Sequence, residues 1–349
     1  MTYAVIGGGN TGQAIAGYLT LKGESVRLYT RDPNKAQRIS EEGLEVTGVY
    51  SGKAHFNALT SMEEVISDAE FIIVSTTAMG HKPVVNQIKP FLKNNQTIVF
   101  FPGYWGAIEC EQILGSEIIQ DKNIKIAETS AMPFVSLADN AGSVNISKIK
   151  NNVLISTLNR ENSIATSFMN RFPQLVPGNS VFETSLNNSN FVIHPPITVF
   201  NAARIDVAET FRFYPDGASP YSVNYVEKID LERLQIANLL KVDTQSILTV
   251  LNEFYDKEYP SLYEALPGLF PSGIAPTTLN YRYMTEDIPF GLVPISELGK
   301  ILGVETPYTD SIISTASLLM DSDYRKEGIH FNGLIKEDLL SMQKVLKPE

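Results

Sequence analysis

The fold of this 349-residue chain is decided near its start by the stretch Tyr3-Ala4-Val5-Ile6-Gly7-Gly8-Gly9-Asn10-Thr11-Gly12. The apolar residues 3–6 predict a buried strand, and the G-x-G-x-x-G pattern that follows opens a predicted helix. In such a unit Gly7 makes the tight turn, Gly9 lets a pyrophosphate approach the backbone, and Gly12 lets the helix pack on the strand. The helix N-terminus supplies N–H groups for the anion. The stretch therefore predicts a dinucleotide-binding site.

Short apolar runs and amphipathic segments alternate through the first half of the chain. The predicted strands are 3–6, 25–30, 71–75, 97–101 and 124–129, and the predicted helices are 11–22, 33–42, 62–67, 83–92 and 105–114. This order is typical of βαβ units and predicts an α/β fold with a doubly wound parallel sheet, a Rossmann fold. We further predict an antiparallel hairpin from residues 144–149 and 153–156, and a closing helix over 163–172.

Helical spacing replaces the strand pattern from about residue 182 onward. Apolar residues recur at short intervals over 223–240 and 312–320, as on the buried face of a helix. We therefore predict an NAD(P)-binding domain at residues 1–178 and a mainly helical domain, carrying substrate-binding and catalytic residues, at 179–349. The turn-rich Pro177-Gly178-Asn179 marks the boundary.

The composition excludes several classes of protein. With 43% hydrophobic and 19% charged residues the chain is of ordinary globular composition. A formal charge of −11 gives no general attraction to nucleic acid or anionic membranes, so an anionic ligand needs local positive groups. Cys110 is the only cysteine, which excludes an internal disulfide and multi-cysteine metal sites. We expect no metal, no signal peptide, no membrane span and a cytoplasmic location.

The end of the second predicted strand bears on which dinucleotide binds. NAD sites usually have an acidic residue there to hold the ribose 2′-hydroxyl, whereas this chain has Tyr29-Thr30-Arg31. Arg31 could pair with a 2′-phosphate, and Thr30 could donate a further hydrogen bond. Asp32 competes, but it precedes Pro33 and has the sequence of a helix N-cap. We therefore favour NADPH as the cofactor and keep NADH as the alternative.

Further cofactor contacts are expected from loops at the carboxyl ends of the strands, where an open α/β sheet binds its ligands. Thr76 follows one predicted strand, and Pro102 with Gly103 follows the next. The full predicted set of cofactor-binding residues is Gly7, Gly9, Asn10, Thr11, Gly12, Thr30, Arg31, Thr76, Pro102 and Gly103.

A dinucleotide-binding fold indicates a redox cofactor but not which reaction it serves, so the second half of the chain must supply the catalytic acid or base. Two short motifs there contain candidates. His194 ends an apolar run and is followed by Pro195 and Pro196, a setting in which a lone histidine is more often a core or capping residue. The other motif, Arg282-Tyr283-Met284-Thr285-Glu286-Asp287-Ile288-Pro289-Phe290-Gly291, places a guanidinium and carboxylates in one loop. Without the histidine, this loop would indicate only surface charge at a turn.

Taken together, these residues resemble the octopine/nopaline (opine) dehydrogenase family. The resemblance rests on the glycine motif, on Asn190 with His194-Pro195, and on residues 282–289, and it spans nearly the whole chain. It implies a Rossmann domain followed by a helical domain like those of the 6-phosphogluconate dehydrogenase superfamily. It also implies reductive condensation of an amino acid amine with a 2-oxo acid. His194 would be the catalytic histidine, Asp287 its paired carboxylate and Arg282 a substrate carboxylate ligand.

One segment departs from the family pattern. Residues 128–134, Glu-Thr-Ser-Ala-Met-Pro-Phe, resemble the family's Glu-Thr-x-x-Leu-Pro-Tyr. The family has an arginine shortly afterwards, and here Val135, Ser136 and Leu137 follow instead. The departure bears on the amino substrate more than on the reaction.

The chemistry of the condensation also favours these residue types. A carbinolamine must form and lose water, and each stage moves a proton near neutral pH, where a histidine beside a carboxylate is suited to act. Both substrates are carboxylates, so an acidic protein needs a cation such as Arg282 in its site. Asn190 is a further predicted substrate ligand. Arg204, on the next predicted helix, is another, with a purely structural role as the alternative.

Two other functions stay open. A simple 2-oxo-acid or 2-hydroxy-acid reductase, of the ketopantoate reductase or glycerol-phosphate dehydrogenase type, would share the first domain but use a lysine in the second. Lys148 and Asn152 have a suitable spacing, but they lie at the predicted hairpin of the first domain. A non-catalytic dinucleotide-sensing regulator is the other reading, because a fold does not fix a function. The sequence does not specify the amino compound, the 2-oxo acid, the stereochemistry or the oligomeric state, a homodimer included.

Overall fold

In a computed structural model the chain forms two compact units, Met1–Ser185 and Leu186–Glu349. The structure describes residues 1–139, 142–158, 167–331 and 333–344, without the side chains of 341–344. The division between the units falls slightly later than the predicted boundary after Gly178. The predicted closing helix over 163–172 begins outside the described residues, and residues 167–169 are helical.

The first unit contains a large and a small β-sheet. Its strands are β1 Thr2–Ile6, β2 Ser25–Tyr29, β3 Leu44–Gly48, β4 Gly52–Ala54, β5 Asn57–Leu59, β6 Phe71–Val74, β7 Thr97–Phe100, β8 Lys125–Thr129, β9 Phe134–Ala138, β10 Ser143–Ile149, β11 Val153–Thr157 and β12 Leu175–Pro177. Among the described residues, the large sheet has the order β12-β11-β8-β7-β6-β1-β2-β5. The strands from β8 to β5 in this order are parallel, and β11 is antiparallel to β8. The predicted doubly wound parallel sheet is therefore confirmed.

Helices lie between many of these strands, and the last helix of the following list comes after β12. They are α1 Asn10–Leu21, α2 Pro33–Glu42, α3 Met62–Ile66, α4 His81–Ile88, α5 Gly106–Leu114, α6 Ser116–Asp121 and α7 Val181–Leu186, with short 3₁₀ turns at Ala78–Gly80 and Lys89–Phe91. Because β1 lies between β2 and β6, the strand order reverses at β1. Such a switch point is where an open α/β sheet binds its ligand.

The predicted hairpin of residues 144–149 and 153–156 is wrong. β10 lies in the small sheet, whose order is β4-β3-β10-β9, whereas β11 lies in the large sheet between β8 and β12. The two strands are close in sequence, but each buries its apolar side chains in a different sheet. Helix α1 packs against the strands of both sheets, and a Cβ on Gly17 would lie 2.6 Å from the Val46 side chain. The small sheet thus covers the helix that opens the glycine motif.

The second unit is mainly helical, as the sequence predicts. Its helices are α8 Asn190–Phe200, α9 Ala202–Asp206, α10 Pro220–Leu240, α11 Ile247–Tyr255, α12 Leu262–Leu269, α13 Arg282–Thr285, α14 Val293–Leu302, α15 Pro307–Met320, α16 Tyr324–Glu327 and α17 Lys336–Lys344. A single π-helical turn, Ile288–Leu292, precedes α14. Within the described ranges, no helix is long and apolar enough to cross a bilayer.

Buried charges on α10 hold the helices of this unit together. Arg233 is completely buried, pairs with Asp230 and donates to the backbone carbonyl oxygens of Leu186 and Gln245. Glu232 accepts hydrogen bonds from Thr309 at the first turn of α15. A buried ion pair is tolerated when its groups are hydrogen-bonded in this way. These bonds link α10 to the beginning of the unit and to α15.

Candidate functional site

The predicted cofactor residues meet at one edge of the large sheet. Gly7 follows β1, Thr30 follows β2, Thr76 follows β6, and Pro102 with Gly103 follows β7. Backbone hydrogen bonds join these loops: the Gly7 N–H donates to the Tyr29 carbonyl oxygen, and the Ser75 N–H donates to that of Ile6. The parallel sheet therefore brings all the predicted cofactor-binding segments to the edge at which α/β proteins bind ligands.

The glycine motif fits a dinucleotide phosphate. A Cβ on Gly12 would lie 1.7 Å from the Gly7 carbonyl oxygen, so only glycine allows α1 to pack this closely on β1. Gly7 has a φ of +127°, which favours glycine. At Gly9, by contrast, an added Cβ would meet no atom of the described chain within 4 Å. The backbone at the start of α1 is thus open to an anion, and the helix N-terminus favours one there.

Basic side chains lie beside this motif at the end of β2. The Asp32 carboxylate accepts hydrogen bonds from the backbone N–H groups of Asn34 and Lys35, so it is the N-cap of α2 as expected. Arg31 is exposed. The Lys35 Nζ donates to the Gly8 carbonyl oxygen at 3.2 Å, a contact that the sequence analysis missed. The sequence feature that could have indicated this contact is the second basic residue, four positions after Arg31 and in the first turn of α2.

A buried histidine anchors the loop that carries Thr76. His81 begins α4, packs on the Phe100 ring at 4.8 Å and lies against Gly106, where a Cβ would be 2.6 Å from its Nδ1. Neither ring nitrogen has a hydrogen-bond partner among the described residues. Burial lowers the pKa of His81 to about 3, so the ring is neutral near pH 7. His81 therefore holds the start of α4, directly after residues 76–80, by apolar packing.

A buried carboxylate orders the loop after β7. Glu128, in β8, accepts hydrogen bonds from the Ala107 N–H at 3.1 Å, the Thr184 hydroxyl at 2.7 Å and the Ser185 hydroxyl at 2.5 Å. Gly103 approaches so closely that its Cβ would lie 2.4 Å from the carboxyl carbon. Burial raises the pKa of Glu128 to about 7, although these hydrogen bonds oppose the shift. Glu128 is the first residue of the family-like segment 128–134, and its role in ordering this loop was not predicted from the sequence.

In the second unit the structure brings the predicted histidine and aspartate together. The His194 Nδ1 lies 2.7 Å from the Asp287 Oδ2. Asp287 has no exposed surface and His194 is 8% exposed. A hydrogen bond of this length between a ring nitrogen and a buried carboxylate restrains the imidazole at Nδ1.

Local backbone features make this contact possible. The Asp287 carbonyl oxygen accepts from the Leu292 N–H at 3.0 Å, which is the five-residue spacing of a π turn. Gly291 in this turn packs on α8, because a Cβ there would lie 2.1 Å from the Cβ of Phe191. Phe191 lies one turn before His194, so the glycine allows the turn that follows Asp287 to approach the histidine helix.

One side chain stacks on this pair, and two further predicted site residues lie near it along the chain. The Tyr283 ring stacks on the His194 imidazole with centroids 4.0 Å apart and an angle of 29° between planes. Arg282 is 42% exposed at its side chain, with its Nε 3.5 Å from the Glu286 carboxylate. Asn190 begins α8 one turn before His194, on the same face of the helix. The predicted substrate ligands thus lie close in sequence to the paired residues: Asn190 is on the same helix as His194, and Arg282 is in α13, which ends two residues before Asp287.

Arg204 has a structural explanation instead. Its guanidinium donates to the Glu209 carboxylate, the Asn201 side chain and the Asp216 carbonyl oxygen, and it stacks on the Phe211 ring at 3.8 Å. These contacts fasten α9 to the chain after it. They favour the structural alternative over the predicted substrate contact.

Two family models match the chain. One, described as NAD/NADP octopine/nopaline dehydrogenase, alpha-helical domain, matches residues 177–320. The other, ketopantoate reductase PanE/ApbA, matches residues 3–102. The helical match includes both His194 and Asp287.

Whole-chain comparisons agree with the helical match. The chain is 36% identical over 337 residues to an opine dehydrogenase of Arthrobacter sp. (strain 1C), covering 94% of this chain and 93% of that protein. A solved octopine dehydrogenase with NADH and L-arginine has a TM-score of 0.77 at 20% identity and covers 92% of this chain and 90% of its own. A yersinopine dehydrogenase with bound NADP⁺ has a TM-score of 0.76 at 14% identity, with coverages of 99% and 97%. At these low sequence identities, the two solved structures show that the chain shares their fold.

We expect Glu128→Gln to change how the stability of the protein depends on pH. The folded pKa of Glu128, about 7, lies above the value of an exposed carboxyl group, so between these values the folded state binds more protons than the unfolded state. Wild-type stability should therefore fall as pH rises through this window, by at most about 1.4 kcal/mol per pH unit from this group. Glutamine does not ionise, so the unfolding free energy of wild type relative to that of the variant should fall from pH 5 to pH 8 in urea unfolding. Glu42→Gln, at an exposed position, is the control, and parallel curves for Glu128→Gln would contradict the assignment.

Proposed function

The chain belongs to the octopine/nopaline (opine) dehydrogenase family, and we propose that it condenses an amino acid, or another amino compound, with a 2-oxo acid and reduces the product with NADPH. At the level that the whole-chain relatives share, it is an NAD(P)-dependent oxidoreductase acting on CH–NH bonds. The amine as ammonium ion, the 2-oxo acid, NADPH and one proton give the N-(carboxyalkyl) amino acid, NADP⁺ and water. The bound nicotinamide supplies the hydride.

The observation that carries the proposal is the 2.7 Å contact between His194 and Asp287. Asp287 restrains the imidazole at Nδ1, and Nε2 is the ring nitrogen proposed to exchange protons with the substrate. His194 as a base removes a proton from the ammonium group, so that the amine can attack the ketone. His194 as an acid then returns a proton to the carbinolamine hydroxyl, which leaves as water. The nearby carboxylate favours the positively charged ring that exists between these two transfers.

Arg282 is proposed to hold a substrate carboxylate. Its guanidinium is held on one side by Glu286, yet the side chain stays 42% exposed. A planar guanidinium can bind a carboxylate through two parallel hydrogen bonds, which positions as well as neutralises it. Asn190, on the same face of α8 as His194, is proposed as a second polar contact to substrate.

A preference for NADPH is supported by the chain's own residues at the end of β2. Arg31 is exposed, Lys35 lies beside Gly8, and the acidic candidate Asp32 serves as a helix cap. The solved relatives contain NADH in one case and NADP⁺ in the other, so they support a nicotinamide dinucleotide without the preference. A cytoplasmic location stays a prediction from the sequence, and so does a homodimer, which the sequence left open.

The simple reductase is less well supported. The ketopantoate reductase match covers residues 3–102, in the first unit only. The pair considered for that function, Lys148 and Asn152, lies at β10 of the small sheet and the turn after it, and Lys148 is exposed. Neither residue is in the second unit.

The first test is whether reduction depends on an amine. Purified protein with NADPH should be assayed at 340 nm against pyruvate, glyoxylate and 2-oxoglutarate, each with and without a panel of amino compounds. We expect NADPH oxidation only where a 2-oxo acid and an amine are both present. Oxidation without an amine would indicate a simple reductase, and no oxidation in the whole matrix would favour a sensor.

The second prediction concerns the cofactor. Arg31→Ala should weaken NADPH binding by roughly 1.5 to 3 kcal/mol, because it removes a charge-assisted hydrogen bond to the 2′-phosphate. NADH binding should barely change, and titration calorimetry would measure both. Lys93→Ala removes an exposed lysine just before the amino end of β7, away from the cofactor edge, and should change neither affinity. Equal losses for both cofactors would show that Arg31 is not a 2′-phosphate ligand.

The third prediction treats His194 and Asp287 as one unit. His194→Ala should lower turnover by about 10²- to 10⁴-fold, the usual range for a positioned acid or base. Asp287→Asn should cost less, and the double variant should be little worse than His194→Ala alone, since residues that act together are far from additive.

Circular dichroism and turnover numbers would be measured for all three variants. Fully multiplicative losses in the double variant, or a His194→Ala protein that keeps most of its turnover, would return His194 to a structural role.

A further inference from the structure

We propose that Tyr283 is a positioning residue for His194: its ring, stacked on the imidazole, fixes the plane of that ring and favours its positively charged form. The inference rests on the proposed function of His194. The ring centroids are 4.0 Å apart and the planes are inclined by 29°, so the two rings lie nearly face to face. A second ring, that of Phe213, lies edge-on to the imidazole with its centroid 6.4 Å away.

The stack supplies a restraint that the aspartate cannot. A single hydrogen bond at Nδ1 fixes one point of the imidazole but lets the ring rock about that bond. A flat surface against one face of the ring removes this freedom. The direction in which Nε2 points is then fixed, which a proton transfer to the substrate requires. Asp287 and Tyr283 therefore restrain the imidazole from its edge and from its face.

The same contact acts electrostatically. The face of an aromatic ring carries negative charge density and attracts a cation placed over it. An imidazolium on Tyr283 is therefore stabilised more than a neutral imidazole is. Burial raises the pKa of Tyr283, so its hydroxyl stays protonated near neutral pH and the ring acts as a neutral platform.

Tyr283 is itself held in place by neighbouring rings. Phe213 packs on it at 4.8 Å and Tyr281 contacts it edge-on at 4.9 Å. The backbone at Tyr283 belongs to α13, which packs on α8, so the ring and the imidazole are carried by two neighbouring helices. These contacts restrict the tyrosine to one orientation over His194.

Among the described residues, several charged and titratable groups lie near the stack. Asp287 bonds the imidazole directly, the Arg282 guanidinium lies 5.9 Å from the Tyr283 centroid, and Glu286 faces Arg282. Burial raises the pKa of Tyr214, and the nearby Tyr283 and Asp287 also contribute to raising it. On α10 and α15, which also pack on α8, the buried or partly buried acids are bonded elsewhere: Asp230 to Arg233, Glu232 to Thr309, and Asp310 to Arg325. A change at position 283 should thus reach His194 mainly through the stack.

The test compares Tyr283→Leu, which removes the ring, with Tyr283→Phe, which keeps it and removes only the hydroxyl. The full-length protein, with ¹³C-labelled histidine, would be titrated by NMR, and the His194 resonance would be assigned with His194→Gln. For Tyr283→Leu we expect the titration midpoint of His194 to fall by about 0.5 to 1 pH unit, the size of a partly buried cation–ring interaction. For Tyr283→Phe we expect the wild-type midpoint.

Kinetics give the second measurement. The assay would use an amino compound and a 2-oxo acid that wild type condenses in the 340 nm assay. In it, kcat of Tyr283→Leu should fall roughly ten-fold or more, because the direction of Nε2 is less well fixed. Tyr283→Phe should keep a kcat near wild type. Tyr263→Leu, an exposed tyrosine on α12, is the matched control and should change neither kcat nor the midpoint. If leucine prevents folding, Tyr283→Met replaces it, because methionine fills irregular space without a flat ring.

The outcomes separate this inference from the function on which it rests. If His194→Gln keeps its turnover, the proposed role of His194 fails whatever happens at Tyr283. If His194→Gln is inactive but Tyr283→Leu shifts neither midpoint nor kcat, only the role of Tyr283 is overturned. A Tyr283→Phe protein as impaired as Tyr283→Leu would also overturn it, because the hydroxyl and not the stacked ring would then matter.

Discussion

The candidate site of the second unit depends on a carboxylate that has no access to water. Asp287 is fully buried, and an ionised carboxylate is tolerated in such a place only with a close partner of suitable chemistry. His194 is that partner at 2.7 Å, and reaching it constrains the backbone on both sides. The π turn after Asp287 and the missing side chain of Gly291 allow the approach to α8. Removing either residue would take from the other its 2.7 Å contact in a buried place, so we expect the two elements that carry them to be coupled in stability.

A related solution appears in the first unit. Glu128 is buried where the loop after β7 folds over the sheet edge, and it accepts hydrogen bonds from the beginning of α5 and from α7. In both units, therefore, a buried carboxylate holds a segment that carries predicted ligand-binding residues. The basic residues Arg31, Lys35 and Arg282 lie in or beside segments that carry predicted ligand-binding residues. In a protein with a formal charge of −11, attraction for an anionic ligand must come from such local groups.

The sequence predicted most reliably what depends on neighbouring residues. The α2 bounds and the Asp32 cap followed from a capping residue before proline, which is local chemistry. The pairing of His194 with Asp287 was expected only through the family resemblance, because no pattern along the chain relates residues so far apart. The hairpin prediction was wrong for the same reason, because a short link between two strands does not determine which sheet each strand joins. Glu128 and the π turn went unrecognised because their roles depend on Ser185 and Phe191, which lie far from them in sequence.

The candidate acid of the second unit bears on which reaction the chain is suited to catalyse. A glycine motif on a parallel sheet binds a dinucleotide in many enzymes and says little about the substrate. A simple ketone reduction needs one proton donated to an oxygen, which a group charged throughout the neutral range can do. A condensation needs a group that first accepts a proton from the amine and then donates one to the departing hydroxyl. A histidine held by a carboxylate can exist in both states near neutral pH, so the pair of His194 and Asp287 matches this double demand better than a lysine would.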